Sequence, residues 1–290
     1  MKWALISSSK ELPRYQALSE FLNSHGKTNE LHFVECQQSN FKPCFDKAMK
    51  EFDQIRVESP FGQKLHELHL PRSAVFSTLR SGDALIFENG QWWPYSFLHE
   101  AFLREFTLHT KNLNLDSNVM IVGAGAAARA IVGALVRIGF QRFNITDRDE
   151  SSARRFINDL KISYFNIRME FIPGPALMML PGSNSVMINS TPLREDNNIL
   201  KHLYYFNFLK TPATIIDLTL VPPNPPLIQE AEKLGMSVLR GTQIASQSDC
   251  LWMQRVFQLS VSPQEYLQFL EEKLSAIPFD PTPFVNTLQN

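Results

Sequence analysis

The chain has 290 residues, 44% hydrophobic and 20% charged, with a formal net charge of −1, which allows a real core and excludes a disordered chain. So small a charge gives no electrostatic footprint for nucleic acid or an anionic membrane, and no run of about 18 apolar residues offers a membrane span. The apolar stretch from Met1 to Ser7 is too short for a signal-peptide core, so a cytoplasmic location is expected.

In chain order, Trp3 to Ile6 reads as a strand and Glu11 to His25 as a helix, with Leu12, Tyr15, Leu18, Phe21 and Leu22 at helical spacing before Gly26. Cys36, Cys44 and Cys250 form no C-x-x-C pair, so reduced thiols are expected. Leu31 to Glu35 is a second strand, Phe45 to Phe52 a helix and Gln54 to Val57 a third strand. This alternation predicts a small α/β unit with a largely parallel sheet. His66 and His69 lie three apart, but no acidic or Cys partner stands at ligand spacing, so no metal site is expected. Ala74 to Leu79 and Ala84 to Phe87 read as further strands, and Asn89-Gly90 before Trp92-Trp93 is a hairpin signal. Phe97 to His109 reads as a connecting helix.

The most informative stretch follows. Asn118 to Val122 is a short apolar run that ends in Gly123-Ala124-Gly125-Ala126-Ala127-Ala128, where a strand must turn into a helix. Gly123 permits the tight turn, Gly125 lets the backbone approach a pyrophosphate, and Ala128 is small enough for helix-on-sheet packing. The helix runs to Ile138 and stops at Gly139, and the strand Arg142 to Thr146 delivers Asp147 about 20 residues beyond the glycines, where an acid bonds ribose hydroxyls. Strand, turn, helix, strand and acid in this order predict a Rossmann-like site for NAD or NADP. Asp147 favours NAD, while its neighbour Arg148 suits a 2′-phosphate. Further helices are read at Glu150 to Leu160 and Pro226 to Leu234, and further strands at Ser185 to Asn189, Thr214 to Leu218 and Ser237 to Leu239, the rhythm of a doubly wound sheet. Beyond Gly241 the pattern is helical, Ile244 to Leu259 first, with Ser262, Pro263 and Glu265 marking a capping box for the last helix.

Taken together, these landmarks resemble the shikimate dehydrogenase family. The glycine turn is similar to that family's G-A-G-G-A-x-x-A, with Ala126 for its second consecutive glycine. Asn189-Ser190-Thr191-Pro192-Leu193 resembles its N-x-T-P-x segment, and Asp217-Leu218 with Pro222 and Pro226-Leu227 its D-x-x-Y-x-P-x-x-T-P-L run. Gly241 stands where a substrate-side helix begins. The resemblance implies two α/β lobes: a substrate-type domain over residues 1–98 and a dinucleotide-binding domain over 112–240. C-terminal helices over 241–290 would return to the first lobe. It also places Asn189, Ser190, Thr191, Pro192 and Gly241 beside the cofactor, with the glycine-turn residues Gly123 to Ala127.

In the first half, Val57 to Phe61 is similar to the family's N-V-T-V-P segment, but the catalytic residues depart from it. The family's lysine falls on Gly62, its partner aspartate on Leu98, its substrate-binding serines on Lys10 and Leu12, its tyrosine on Leu220 and its late glutamine on Ser248. Hydride transfer to a ketone leaves an alkoxide that needs a proton, so Gly62 and Leu98 remove both the donor and the group that orients it. Lys64 is the nearest replacement lysine, and Glu58, His66, Tyr95 and His99 are other acid/base candidates. Trp92 and Trp93 are candidates for stacking on a ring. Three readings stay open: an oxidoreductase acting on a small hydroxylated substrate other than shikimate, a catalytically silent dinucleotide-binding protein, and a true shikimate dehydrogenase with Lys64 as proton donor.

Overall fold

The computed structural model describes residues 1–8, 12–110, 113–194, 197, 199–203 and 206–280. Lys10 lies outside the described residues.

The first half contains β1 (Lys2–Ser7), α1 (Pro13–Ser24), β2 (Glu30–Glu35), α2 (Phe41–Glu51), β3 (Gln54–Val57), α3 (Ala74–Leu79), β4 (Ala84–Glu88) and β5 (Gln91–Tyr95). Its five strands form one sheet in the order β2-β1-β3-β4-β5. β1 pairs parallel with β2 and β3, whereas β3–β4 and β4–β5 are antiparallel, so the sheet is mixed rather than largely parallel. The hairpin turn is where the sequence puts it, with Asn89 and Gly90 at φ 51° and 76°, the left-handed pair that a type I′ turn requires.

The expected strand at Ala74 to Leu79 is instead the helix α3. Ser73 caps it by accepting a hydrogen bond from the Phe76 N–H at 3.1 Å, and Phe76 and Leu79, one helical turn apart, are its buried residues. An apolar run this short fits either structure, and the cap decides it.

α4 (Phe97–His109) leads into β6 (Asn118–Val122), α5 (Ala126–Ile138), β7 (Arg142–Thr146), α6 (Glu150–Ser163), β8 (Arg168–Phe171), β9 (Asn184–Asn189), α7 (Leu200–Leu203), β10 (Leu209–Asp217), α8 (Pro226–Lys233) and β11 (Ser237–Arg240). These six strands form a second, wholly parallel sheet in the order β11-β10-β9-β6-β7-β8. That is the order of a doubly wound dinucleotide-binding sheet, reversing direction between β6 and β9, where such folds hold their ligands. β8 is not foreseen in the sequence: Arg168-Met169-Glu170-Phe171 alternates as a strand does, but four residues are too few for the pattern to stand out.

α9 (Gly241–Phe257) and α10 (Pro263–Ser275) pack against the first half. Phe21 of α1 meets Tyr266 and Phe269 of α10 at ring-centre distances of 4.9 and 5.2 Å, and Trp252 of α9 meets Trp3 of β1 at 4.8 Å. Ser262 caps α10, but Glu265 does not close the expected box and reaches His25 at 3.3 Å instead. One apolar core runs unbroken from the α1 face of the first sheet, across α4 and α9, to the α5 face of the second, while separate cores cover the opposite faces. Among the described residues, no helix is long and apolar enough to cross a membrane.

Candidate active site

A cavity of about 520 Å³ opens between the carboxyl ends of the second sheet and the first half of the chain. One side of it is formed by the glycine turn and the start of α5. Gly123 sits at φ 105°, and a Cβ there would come within 2.5 Å of the Ser190 hydroxyl, so the turn admits only glycine. Gly125 precedes α5, and a Cβ on it would meet nothing within 4 Å. No side chain caps that helix, so the first N–H groups of α5 remain for a ligand. Gly125, Ala126 and Ala127 line the cavity.

Asp147 follows β7, as expected, and its carboxylate accepts from the Ala124 N–H at 2.8 Å and the Asp149 N–H at 2.9 Å. The acid is thereby held against the glycine turn. Arg148 next to it is exposed. Asp149 caps α6 through Ser151 and Ser152, and these bonds to its charged form hold its carboxyl down at about 2.

The Asn189 segment braces the same edge. The side chain of buried Asn189 donates to Asp217 at 3.1 Å and accepts from the Thr191 N–H and hydroxyl at 3.1 and 2.7 Å. Ser190 donates to the Val122 carbonyl at 2.7 Å. Ser190, Thr191 and Pro192 line the cavity, while Asn189 holds them from behind. Gly241 opens α9 on the far wall, where a Cβ would come within 2.7 Å of the Leu218 and Thr219 carbonyl oxygens. Helix and loop can approach this closely only with glycine.

The first half supplies the other wall. Gly62, Leu98, Leu220 and Ser248 all line the cavity, so the positions read as departures from the family lie together, and Leu12 is half-buried against the main core. The acid/base candidates separate. Glu58 lines the cavity and accepts a short hydrogen bond from the Tyr15 hydroxyl. Lys64 does not line it: its ammonium pairs with Glu67 at 2.8 Å and lies over the Phe41 ring. His66 binds the Gln63 carbonyl, Tyr95 donates to Glu100 at 3.2 Å, and buried His99 meets the Ala130 carbonyl at 2.9 Å. Trp92 and Trp93 belong to the hairpin rather than the cavity lining, with Trp92 against Phe87 at 5.2 Å. Among the described residues, no cluster of His, Cys, Asp and Glu is arranged to hold a metal.

Sequence reasoning missed a charged cluster at the cavity floor. Asp249, fully buried on α9, accepts from Arg14 at 2.9 and 2.8 Å, from Arg56 at 3.3 Å and from the Tyr266 hydroxyl at 3.2 Å. Burial works against the Arg14 cation, but Asp249, Tyr15 and Glu58 together outweigh it, so Arg14 stays firmly cationic. Burial first and Glu58 second push the Tyr15 phenol above its ordinary range, so it remains a hydrogen-bond donor. Arg56 in the middle of a buried strand was the available signal, since an arginine is almost never fully buried unless paired. Asp83, also on the cavity wall, accepts from the Phe97 and Leu98 N–H groups at 2.8 and 2.7 Å and so caps α4.

No family model matches the chain. The shikimate dehydrogenase (NADP(+)) of Dictyoglomus thermophilum is 24% identical over 220 residues, covering 76% of this chain and 77% of that protein. Quinate dehydrogenase from Corynebacterium glutamicum, solved in complex with NAD, superposes with a TM-score of 0.78 at 18% identity, over 94% of this chain and 99% of the other. The ligand-free 5-ketofructose reductase of Gluconobacter sp. strain CHM43 superposes with a TM-score of 0.72 at 17% identity, over 93% and 97%. The chain is thus similar at low identity to curated shikimate dehydrogenases and shares the fold of solved shikimate and quinate dehydrogenases.

Proposed function

We propose that the protein is a nicotinamide-dinucleotide-dependent oxidoreductase that moves a hydride to or from a small hydroxylated substrate other than shikimate. The observation that carries this reading is the shared cavity: the glycine turn and the polar side chains of the first half face the same space. The turn fits a dinucleotide, because Gly125 leaves open space beside the uncapped start of α5. A bound nicotinamide would supply the carbon that exchanges the hydride. This chain supplies the proton chemistry: as a carbinol C–H gives up its hydride, the hydroxyl proton must leave, and Glu58 is the acid/base group we assign to it. Tyr15 orients Glu58 by donating to its carboxylate.

Two observations support a substrate change. No lysine is among the described residues lining the cavity, and the family's lysine and aspartate positions are Gly62 and Leu98. The 5-ketofructose reductase neighbour, by its name, carries this fold with a different substrate, so the fold does not dictate shikimate. The same missing pair favours a second reading, a silent dinucleotide-binding protein.

For the cofactor we infer a preference for NAD, since the Asp147 carboxylate would accept ribose hydroxyls and repel a 2′-phosphate. A fluorescence titration with NADH and NADPH tests both points. Tighter NADH binding that weakens with Asp147→Asn is expected. Absence of binding would remove the oxidoreductase reading.

A further inference from the structure

We infer that the cavity selects an uncharged, polyhydroxylated substrate over a carboxylated one, an inference that rests on the hydride-transfer reading above. The charged groups on its wall, among the described residues, are Arg14, Arg56, Glu58 and Asp83. Both guanidiniums turn towards Asp249. Arg14 grips Asp249 with two parallel bonds at 2.9 and 2.8 Å, a fork that a substrate carboxylate would have to pull apart. Arg56 bonds the same carboxylate through Nη1 at 3.3 Å; its Nε is buried without a partner among the described residues, and the rings of Tyr15, Phe97 and Trp252 enclose the guanidinium at 5.4, 5.7 and 5.6 Å.

With Asp249 behind them, two guanidiniums face three carboxylates, which leaves one negative charge around the cavity. The carboxylates of Glu58, Asp83 and Asp249 together outnumber the two guanidiniums that they surround. A carboxylated substrate entering here meets like charge at short range in a partly desolvated space, where repulsion is strong. Hydroxyl groups meet the opposite situation, because carboxylates accept hydrogen bonds from them and lose no partner in doing so.

A second, independent observation points the same way. Ser248 lines the cavity and is 1% exposed, yet its hydroxyl has no hydrogen-bond partner among the described residues. A buried hydroxyl left unpaired is costly, and it both donates and accepts, which matches a ligand hydroxyl. Leu98, Leu220 and Ile244 provide apolar surface for the carbon side of such a ring.

The test is calorimetric titration of the protein, saturated with NADH, with two six-membered-ring probes: myo-inositol, which is uncharged, and quinate, which carries a carboxylate. myo-Inositol is expected to bind at least about 10-fold more tightly. Glu58→Gln should raise quinate affinity about 5-fold and lower that of myo-inositol. Ser248→Ala, a smaller change that keeps the charges, should weaken myo-inositol about 5-fold and leave quinate unchanged. Quinate binding as tightly as myo-inositol, or NADH binding with no response to myo-inositol, overturns the inference and leaves the hydride-transfer reading in place. Failure of NADH to bind removes that reading and this inference with it, and the first titration tells the two failures apart.

Discussion

Gly62 and Ala126 meet where the two halves of the chain touch: a Cβ on the glycine would stand 2.9 Å from the alanine's Cβ and 2.6 Å from the Gly82 carbonyl oxygen. Nearby, Ser81 donates to the Ala126 carbonyl at 3.2 Å and Gln63 to that of Ala124 at 3.4 Å. The resemblance puts a lysine at position 62 and a glycine at position 126, and in this chain Gly62 and Ala126 stand against each other. The two departures are one packing arrangement.

Restoring the lysine should therefore fail. Gly62→Lys is expected to destabilise the protein by about 1–3 kcal/mol through overpacking, and together with Leu98→Asp to give no shikimate-dependent reduction of NAD or NADP. A thermal melt and an absorbance assay check this. An unchanged melting temperature with gained turnover would show that the position is open.

Gly125→Val separates folding from cofactor binding. The added side chain enters open space, and the backbone there, at φ −88°, accepts any residue. The melting temperature should stay unchanged while dinucleotide affinity falls at least about 10-fold, because the side chain occupies the path of the pyrophosphate. Fluorescence titration of NADH reads the loss.

Asp249→Asn should be strongly destabilising, by about 3–5 kcal/mol, because it leaves Arg14 and Arg56 buried without their anion. Urea denaturation measures it. A loss under about 1 kcal/mol would show that the cluster relaxes to solvent.

His99 links α4 to α5 through the Ala130 carbonyl, and burial holds its imidazole below the ordinary value of 6.5. The unfolded chain then binds a proton that the folded one refuses, so stability is full above about pH 6.5 and falls as pH drops towards the folded value. Urea midpoints between about pH 7 and 5 should show this slope, and His99→Gln should flatten it.

The nucleotide half was legible in the sequence because its signals are local: a strand, two glycines, a helix stop and an acid lie within Asn118 to Asp147. The cavity floor was not, because Arg14, Arg56 and Asp249 come from three distant elements and meet only after α9 packs on α1 and β1. Ala74 to Leu79 was misread for a different reason. A short apolar run does not choose between strand and helix, and the decisive Ser73 cap is a single side chain.

The most direct measurement adds shikimate to the purified wild-type protein saturated with NAD or NADP, after a titration establishes dinucleotide binding. The account predicts that dinucleotide binds and that no shikimate-dependent reduction follows. Robust reduction of either cofactor by shikimate would contradict it.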